Sequence, residues 1–269
     1  MDHNNAAMKR DFIPVFFDLE RTGHYDWDEI LRIGAIHKDN IFCRYILPTT
    51  EIPPYVSELT RFTKNGEQLL HRGEVKETTT LKKALENLLE YLEQFNKPVI
   101  MIGHNCFTYD CRFILRGLRQ YGLLNQFTRI VQGFTDSLPL LKKYLPGKPS
   151  YYLKLLAVDI LGPNLDFMTH ATDNDAIILV SIFRKEKIKR IQIFEFARSI
   201  KDALKKEDGR IIAKKNLLVR KALQPLITTG SKLTKTVEEG QNIESLKEFL
   251  EAEAPEGPSP DTVSTSPKF

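Results

Sequence analysis

The chain has 269 residues, 42% of them hydrophobic, enough for one sizeable core or for a core with an appendage. Its 39 basic and 35 acidic residues leave a mildly basic net charge of +4. Cys43, Cys106 and Cys111 are odd in number and lack metal-site spacing, which argues against a disulfide framework and a zinc module, and the longest apolar run, 176–183, falls far short of the roughly 20 residues needed to cross a bilayer. The polar leader 1–10 carries no secretory signal, so a soluble intracellular protein of nucleus or cytoplasm is expected, with no membrane partner. Strand-like runs follow at 12–18, 31–36 and 41–46, and Asp39-Asn40 suits a tight hairpin between the last two. Pro48, Pro53 and Pro54 then start a loop. Leu81, Leu85, Leu88, Leu89 and Leu92 recur at helical spacing and make 80–95 the clearest helix of the chain. Pro98 introduces a short buried strand, Val99 to Ile102, that runs into Gly103-His104-Asn105. A helix is expected over about 109–121, a strand from Ile130-Val131 to Asp136-Ser137, and further helices over 138–144, 152–161 and 173–187. Asp136-Ser137 is good N-cap chemistry for the first of these three.

The order β-β-β-α-β-α-β-α-α describes a mixed five-stranded sheet with helices on its faces, the ribonuclease H-like arrangement, in the α/β class. It is expected over 11–189. From 190 to 250 an amphipathic helical appendage is expected, with Ile193, Phe196, Ile200 and Leu204 followed by Leu217, Leu218, Leu223 and Leu226. Residues 251–269 are a Glu/Pro/Ser/Thr mixture too poor in apolar groups to order itself. Charge is unevenly spread. Residues 184–235 hold 16 Lys/Arg against 5 Asp/Glu, whereas 237–269 hold 2 against 8. A phosphate-rich partner met by the basic segment is expected, with Lys214, Lys215, Arg220 and Lys221 as candidate contacts.

Chemistry concentrates in three separated pieces. Val15-Phe16-Phe17-Asp18-Leu19-Glu20-Arg21-Thr22-Gly23 reads as a buried strand ending in carboxylates at i and i+2, which point to one side because strand side chains repeat every two residues. Two like charges so placed repel unless a cation sits between them, and hard oxygen ligands favour magnesium or manganese over zinc. Gly103-His104-Asn105-Cys106-Phe107-Thr108-Tyr109-Asp110 puts polar groups directly after a buried strand, an awkward place unless something binds there. His170 and Asp175 stand five residues apart before an apolar helix. Each piece alone has a plainer reading: a solvated strand end, a helix cap, a helix start. All three in this order point to a metal-dependent nuclease site.

The set Asp18, Glu20, Asp110, His170 and Asp175 resembles that of the DEDDh 3′–5′ exonucleases of the DnaQ-like superfamily. Asp18-Leu19-Glu20-x-Thr22-Gly23, Asn105 before Tyr109-Asp110, and His170-x4-Asp175 are similar to the three-prime repair exonucleases. Over most of the chain, Val15 to Leu19, Gly133-Phe134-x3-Leu138-Pro139-Leu140 and Tyr152 to Ala157 resemble the exonuclease-like C-terminal domain of the long promyelocytic leukaemia protein isoform and its stand-alone fish relatives. The resemblance implies that Asp18, Glu20 and Asp175 hold a magnesium ion that activates water. Asp18 would also reach a second ion, Asp110 would assist through water and His170 would take the water's proton; manganese can substitute. It also implies nucleic-acid contacts at Leu19, Arg21, Thr22, Asn105 and Tyr109, a DNA substrate with a 3′ end, preferably single-stranded, and it allows a homodimer. Arg21 and Cys106 depart from the small residues usual in the group, and Thr172 from its alanine. RNA as substrate, or a catalytically weak nucleic-acid- or protein-binding module, stay open, because sugar discrimination rests on how a site meets the 2′-hydroxyl.

Overall fold

The computed structural model describes residues 8–163 and 175–228. The first compact unit runs to Gly209. Its elements are β1 (Ile13–Arg21), β2 (Ile30–His37), β3 (Asn40–Ile46), α1 (Pro54–Thr60), β4 (Phe62–Asn65), β5 (Gln68–His71), β6 (Glu74–Lys76), β7 (Thr78–Thr79), α2 (Leu81–Glu93), β8 (Val99–Gly103), α3 (Asp110–Gln120), α4 (Leu124–Ile130), β9 (Val131–Asp136), α5 (Ser137–Tyr144), α6 (Leu153–Leu161), α7 (Asp175–Lys185), α8 (Arg190–Glu195), β10 (Ala197–Ser199) and the start of α9 (Ile200–Thr228). A second unit begins at Arg210 and is described over its helical residues to Thr228.

The main sheet has seven strands in the order β10-β9-β8-β1-β2-β3-β7. β1 lies antiparallel to β2 and parallel to β8, and β8 is parallel to β9, so the sheet is mixed as expected. The five expected strands form its middle. The two additional ones are edge strands of two and three residues, too short to show any period in the sequence. A separate sheet of β4, β5 and β6 folds the stretch read as loop, turning at Gly66 and Gly73, whose φ of +56° and +80° suit glycine. The boundary expected at 189 falls before α8 and β10, and β10 pairs antiparallel with β9.

Alternation along the strands sorts the core into two layers. Val15, Phe17 and Leu19 of β1 join Met101 of β8 and meet Leu85, Leu88 and Leu92 of α2 and Phe113 and Leu118 of α3. Phe16 with Ile100 and Ile102 packs on the opposite layer against Leu156 of α6 and Leu179, Ile182 and Phe183 of α7. Asp18 and Glu20 continue the Phe16 face of β1 beyond the apolar stretch. α2 begins where Thr80 Oγ1 accepts from the Lys83 amide at 3.2 Å. No helix among the described residues is long and apolar enough to cross a membrane.

Candidate active site

The C-terminal half of β1 delivers two carboxylates to the face it shares with α6 and α7. Register across the β1–β2 hairpin sets Gly34 opposite Asp18 and Arg32 opposite Glu20. Residues directly opposite on antiparallel strands project to the same face. The Arg32 guanidinium, 3% exposed, therefore reaches both acids, with Nη2 at 3.3 Å from Asp18 Oδ2 and 3.6 Å from Glu20 Oε1. Nothing in the sequence reading singled out Arg32. Its signal was a lone charge inside the apolar run Leu31-Arg32-Ile33.

Asp110 enters from the other side of β1, at the first turn of α3, where a carboxylate complements the helix dipole. The loop that leads to it leaves β8 at Gly103, and a Cβ there would stand 2.7 Å from Cys106 Cβ and 3.1 Å from Phe17 Cε1. Asp136, paired with Gly103 in the β8–β9 register, anchors this loop. Its Oδ1 accepts from the Asn105 amide at 2.8 Å and from the Leu138 amide at 2.9 Å, and its Oδ2 from the Phe107 amide at 3.4 Å. Asp136 is thus the expected cap of α5 and also the clamp of a loop 31 residues away. His104 is fixed between Ser137 Oγ at 2.9 Å and the Tyr151 carbonyl at 2.8 Å, and burial lowers its pKa. That imidazole is structural, committed at both nitrogens.

Asp175 is the first residue of α7 and closes the set. Asp18, Glu20, Asp110 and Asp175 all line one cleft of about 710 Å³, together with Leu19, Arg21, Asn105, Tyr109, Tyr152 and Lys154. Burial, and then the neighbouring Asp18 carboxylate, push the Glu20 pKa up to about 8 despite Arg32. Burial likewise raises Asp110 to about 8, with Arg21 pulling it down and Asp18 and Asp175 adding to the rise. Such a cluster holds protons near neutrality unless a cation replaces them.

Arg21 lies with its guanidinium carbon 5.1 Å from the Tyr109 ring centre and 4.9 Å from that of Phe113. Its Nε and Nη1 are buried without a hydrogen-bond partner among the described residues. Thr22 is not a cleft residue: its hydroxyl accepts from the Glu29 amide at 2.9 Å and its own amide donates to the Glu29 carbonyl at 2.9 Å, closing the loop between β1 and β2. His170 lies outside the described residues, as does the side chain of Arg220. Lys214, Lys215 and Lys221 are exposed on the α9 part of the second unit.

The donor set is all oxygen, the type a hard divalent cation takes. Among the described residues no cluster of three or more His, Cys, Asp or Glu side chains is already arranged to hold a metal ion. Asp18 and Glu20 are instead drawn to Arg32.

Residues 12–159 match the Exuperantia RNAse H-like domain. The chain belongs to that family. The maternal protein exuperantia of Drosophila virilis is 24% identical over 178 residues, which cover 62% of this chain and 37% of that protein. The match therefore spans little more than a third of this curated relative. Human protein PML is 23% identical over 166 residues, covering 61% of this chain and 16% of PML. Among solved structures, Escherichia coli exonuclease I in complex with a dA16 oligonucleotide superposes with a TM-score of 0.50 at 15% identity, over 69% of this chain and 43% of that one. The Exuperantia-family chain thus has an exonuclease-type ribonuclease H-like fold.

Proposed function

We propose that the chain is a divalent-metal-dependent 3′–5′ exonuclease that hydrolyses phosphodiester bonds at the 3′ end of DNA, preferably single-stranded. The observation that carries the reading is the convergence of Asp18, Glu20, Asp110 and Asp175, from three distant pieces of chain, on one cleft. A magnesium or manganese ion bound there would lower the pKa of a water and stabilise charge on the reacting phosphate. Asp18, Glu20 and Asp175 would hold it, with Asp110 fixing its water shell. His170 is assigned the proton of the attacking water, a role suited to a group that titrates near neutrality. Arg21 offers a phosphate donors that have no hydrogen-bond partner among the described residues, and Tyr109 a ring face to a terminal base. Exonuclease I, whose fold is similar, has been solved with a DNA oligonucleotide, which supports a DNA strand as the ligand. The basic residues Lys214, Lys215, Arg220 and Lys221 would add sequence-independent affinity.

One observation favours a second reading, a nucleic-acid-binding module with weak catalysis: the buried Arg32 already satisfies two of the acids. End-labelled single-stranded DNA and RNA, incubated with pure protein and magnesium or with excess EDTA, separate the two. Stepwise shortening of DNA from the 3′ end, abolished by EDTA and lowered by roughly three orders of magnitude in Asp18→Asn, is expected, since such metal contacts contribute several kcal/mol and about 1.36 kcal/mol is tenfold. Digestion equal in wild type and Asp18→Asn would mark a contaminant and leave the binding module standing.

A further inference from the structure

Two large aromatic side chains stand in the open on the loop between β1 and β2. Tyr25 is 59% exposed and Trp27 69%, and their rings lie nearly parallel, with centres 4.7 Å apart and an interplanar angle of 11°. Single exposed rings are ordinary on a protein surface. A stacked pair is different, because it presents an outer ring face that is already aligned.

The loop holds the pair in place. Asp28 closes it: Oδ2 accepts from the Tyr25 amide at 2.5 Å, and the Asp28 amide donates to the Tyr25 carbonyl at 3.2 Å. Gly23 leaves room for that carboxylate, since a Cβ there would stand 2.4 Å from Asp28 Oδ2. Two arginines of α3 grip the same turn. Arg112 donates to the His24 carbonyl and, at 3.3 Å, to Asp26 Oδ1. Arg116 donates to the Asp26 carbonyl and, at 3.1 Å, to that of Asp28. Rings fixed in advance lose little freedom when a flat partner settles on them.

Position and charge point to that partner. Tyr109 and His24 both line the carboxylate cleft, with ring centres 5.3 Å apart. Tyr25 follows His24 in the chain, so ring faces continue from the cleft wall along the loop to Trp27. The acids of the loop are engaged: Asp26 is paired with Arg112, and Glu29 accepts from the amides and hydroxyls of Thr49 and Thr50 at 2.8–3.0 Å. Arg112 and Arg116 offset these acids, so the loop offers ring faces without a basic excess. Contact there is by stacking and not by counterion release.

We propose that Tyr25 and Trp27 form a stacking subsite for the unpaired bases that precede the 3′ end of a bound DNA strand. The inference rests on the proposed exonuclease reading and adds a reason for single-strand preference, because a base held in a duplex offers the pair no free face. Every base has such a face, so the subsite accepts any sequence.

Trp27 is the sole tryptophan of the chain, so its emission reports on the subsite alone. The full chain is titrated with a thymidine oligonucleotide in calcium in place of magnesium, and a gel confirms that the strand stays whole. Stacking should quench Trp27. Trp27→Ala should weaken binding roughly tenfold, read by anisotropy of a labelled strand, without changing its salt slope, and Trp27→Phe should keep most of the affinity. Because Trp27 is exposed, the alanine variant leaves the core intact, which circular dichroism verifies. A strand with an intact 3′ end and abasic sites before it should bind wild type and Trp27→Ala equally, as weakly as the normal strand binds the variant. Blunt duplex should leave the emission unchanged. Equal quenching by the normal strand and by the abasic strand or the duplex would overturn the subsite. Binding indifferent to Trp27, with 3′-end cleavage intact, would also overturn it, leave the exonuclease reading standing and pass the pair to a protein partner. No binding of any strand and no cleavage would overturn both.

Discussion

Replacing Asp136 by alanine tests whether one carboxylate sets the geometry of the loop that leads to Asp110. Asp136 is 5% exposed, and its Oδ1 serves two amides at once, Asn105 at 2.8 Å and Leu138 at 2.9 Å. Loss of the cap on α5 costs about 1 kcal/mol. Leaving the Asn105 amide unsatisfied in a half-buried site costs about 1–3 kcal/mol more. The Phe107 amide at 3.4 Å is too distant to count for much. Burial raises the Asp136 pKa, so removing the carboxylate also removes a desolvation cost that offsets part of the loss. A net destabilisation of roughly 2–3 kcal/mol is expected for Asp136→Ala, or about 5–10 °C in Tm for a body of this size. Asp136→Asn retains an amide oxygen at the Oδ1 position and so keeps both short bonds, losing less than about 1 kcal/mol. Urea denaturation at neutral pH with chelator measures the difference. Hydrogen exchange of the Asn105 amide should quicken in the alanine variant only, and 3′-end cleavage should fall further there than in the asparagine variant. Equal losses in both variants, or a loss under about 0.5 kcal/mol in alanine, would refute the clamp.

Gly103→Ala should destabilise by about 1–3 kcal/mol, because the added Cβ meets Cys106 Cβ at 2.7 Å and the Phe17 ring at 3.1 Å in a packed layer; a wild-type urea midpoint would show that the turn yields freely. In chelator, stability should fall as pH rises through about 8, because the folded state holds protons on Glu20 and Asp110 that the unfolded chain gives up at the ordinary carboxylate pKa. His104, whose pKa is lowered, acts in the opposite sense only below its ordinary value near 6.5, so urea midpoints between pH 6.5 and 8 isolate the carboxyls, and Glu20→Gln should flatten that slope. Neutral substitutions at Lys214, Lys215, Arg220 and Lys221 should weaken binding to single-stranded DNA and reduce its salt slope by up to about 3, read by fluorescence anisotropy; an unchanged slope would assign the basic stretch another role.

What was legible in the sequence follows from how far each feature reaches along the chain. α2 was readable because Leu81, Leu85, Leu88, Leu89 and Leu92 repeat the helical period several times within one element. Asp18 and Glu20 were readable as a pair because strand alternation needs only two residues to state it. β7, with two residues, and β10, with three, cannot state a period at all; they exist because β3 and β9 present edges that tertiary structure covers. The roles of Arg32 and Asp136 are relations between strands. Arg32 meets Asp18 across 14 residues through the β1–β2 register, and Asp136 meets Asn105 across 31 through the parallel pairing of β8 with β9. Thr22 has a structural role that its position did not announce. Its position after the acids fits a ligand contact, yet the loop from β1 to β2 must close, and the Thr22 hydroxyl and amide are used on Glu29 for that purpose. Local pattern thus identifies the groups that carry charge into the cleft. The groups that restrain them, the guanidinium on one side and the capping carboxylate on the other, are set by strand register, and a one-residue slip of β2 would turn Arg32 to the opposite face and leave Asp18 and Glu20 without it.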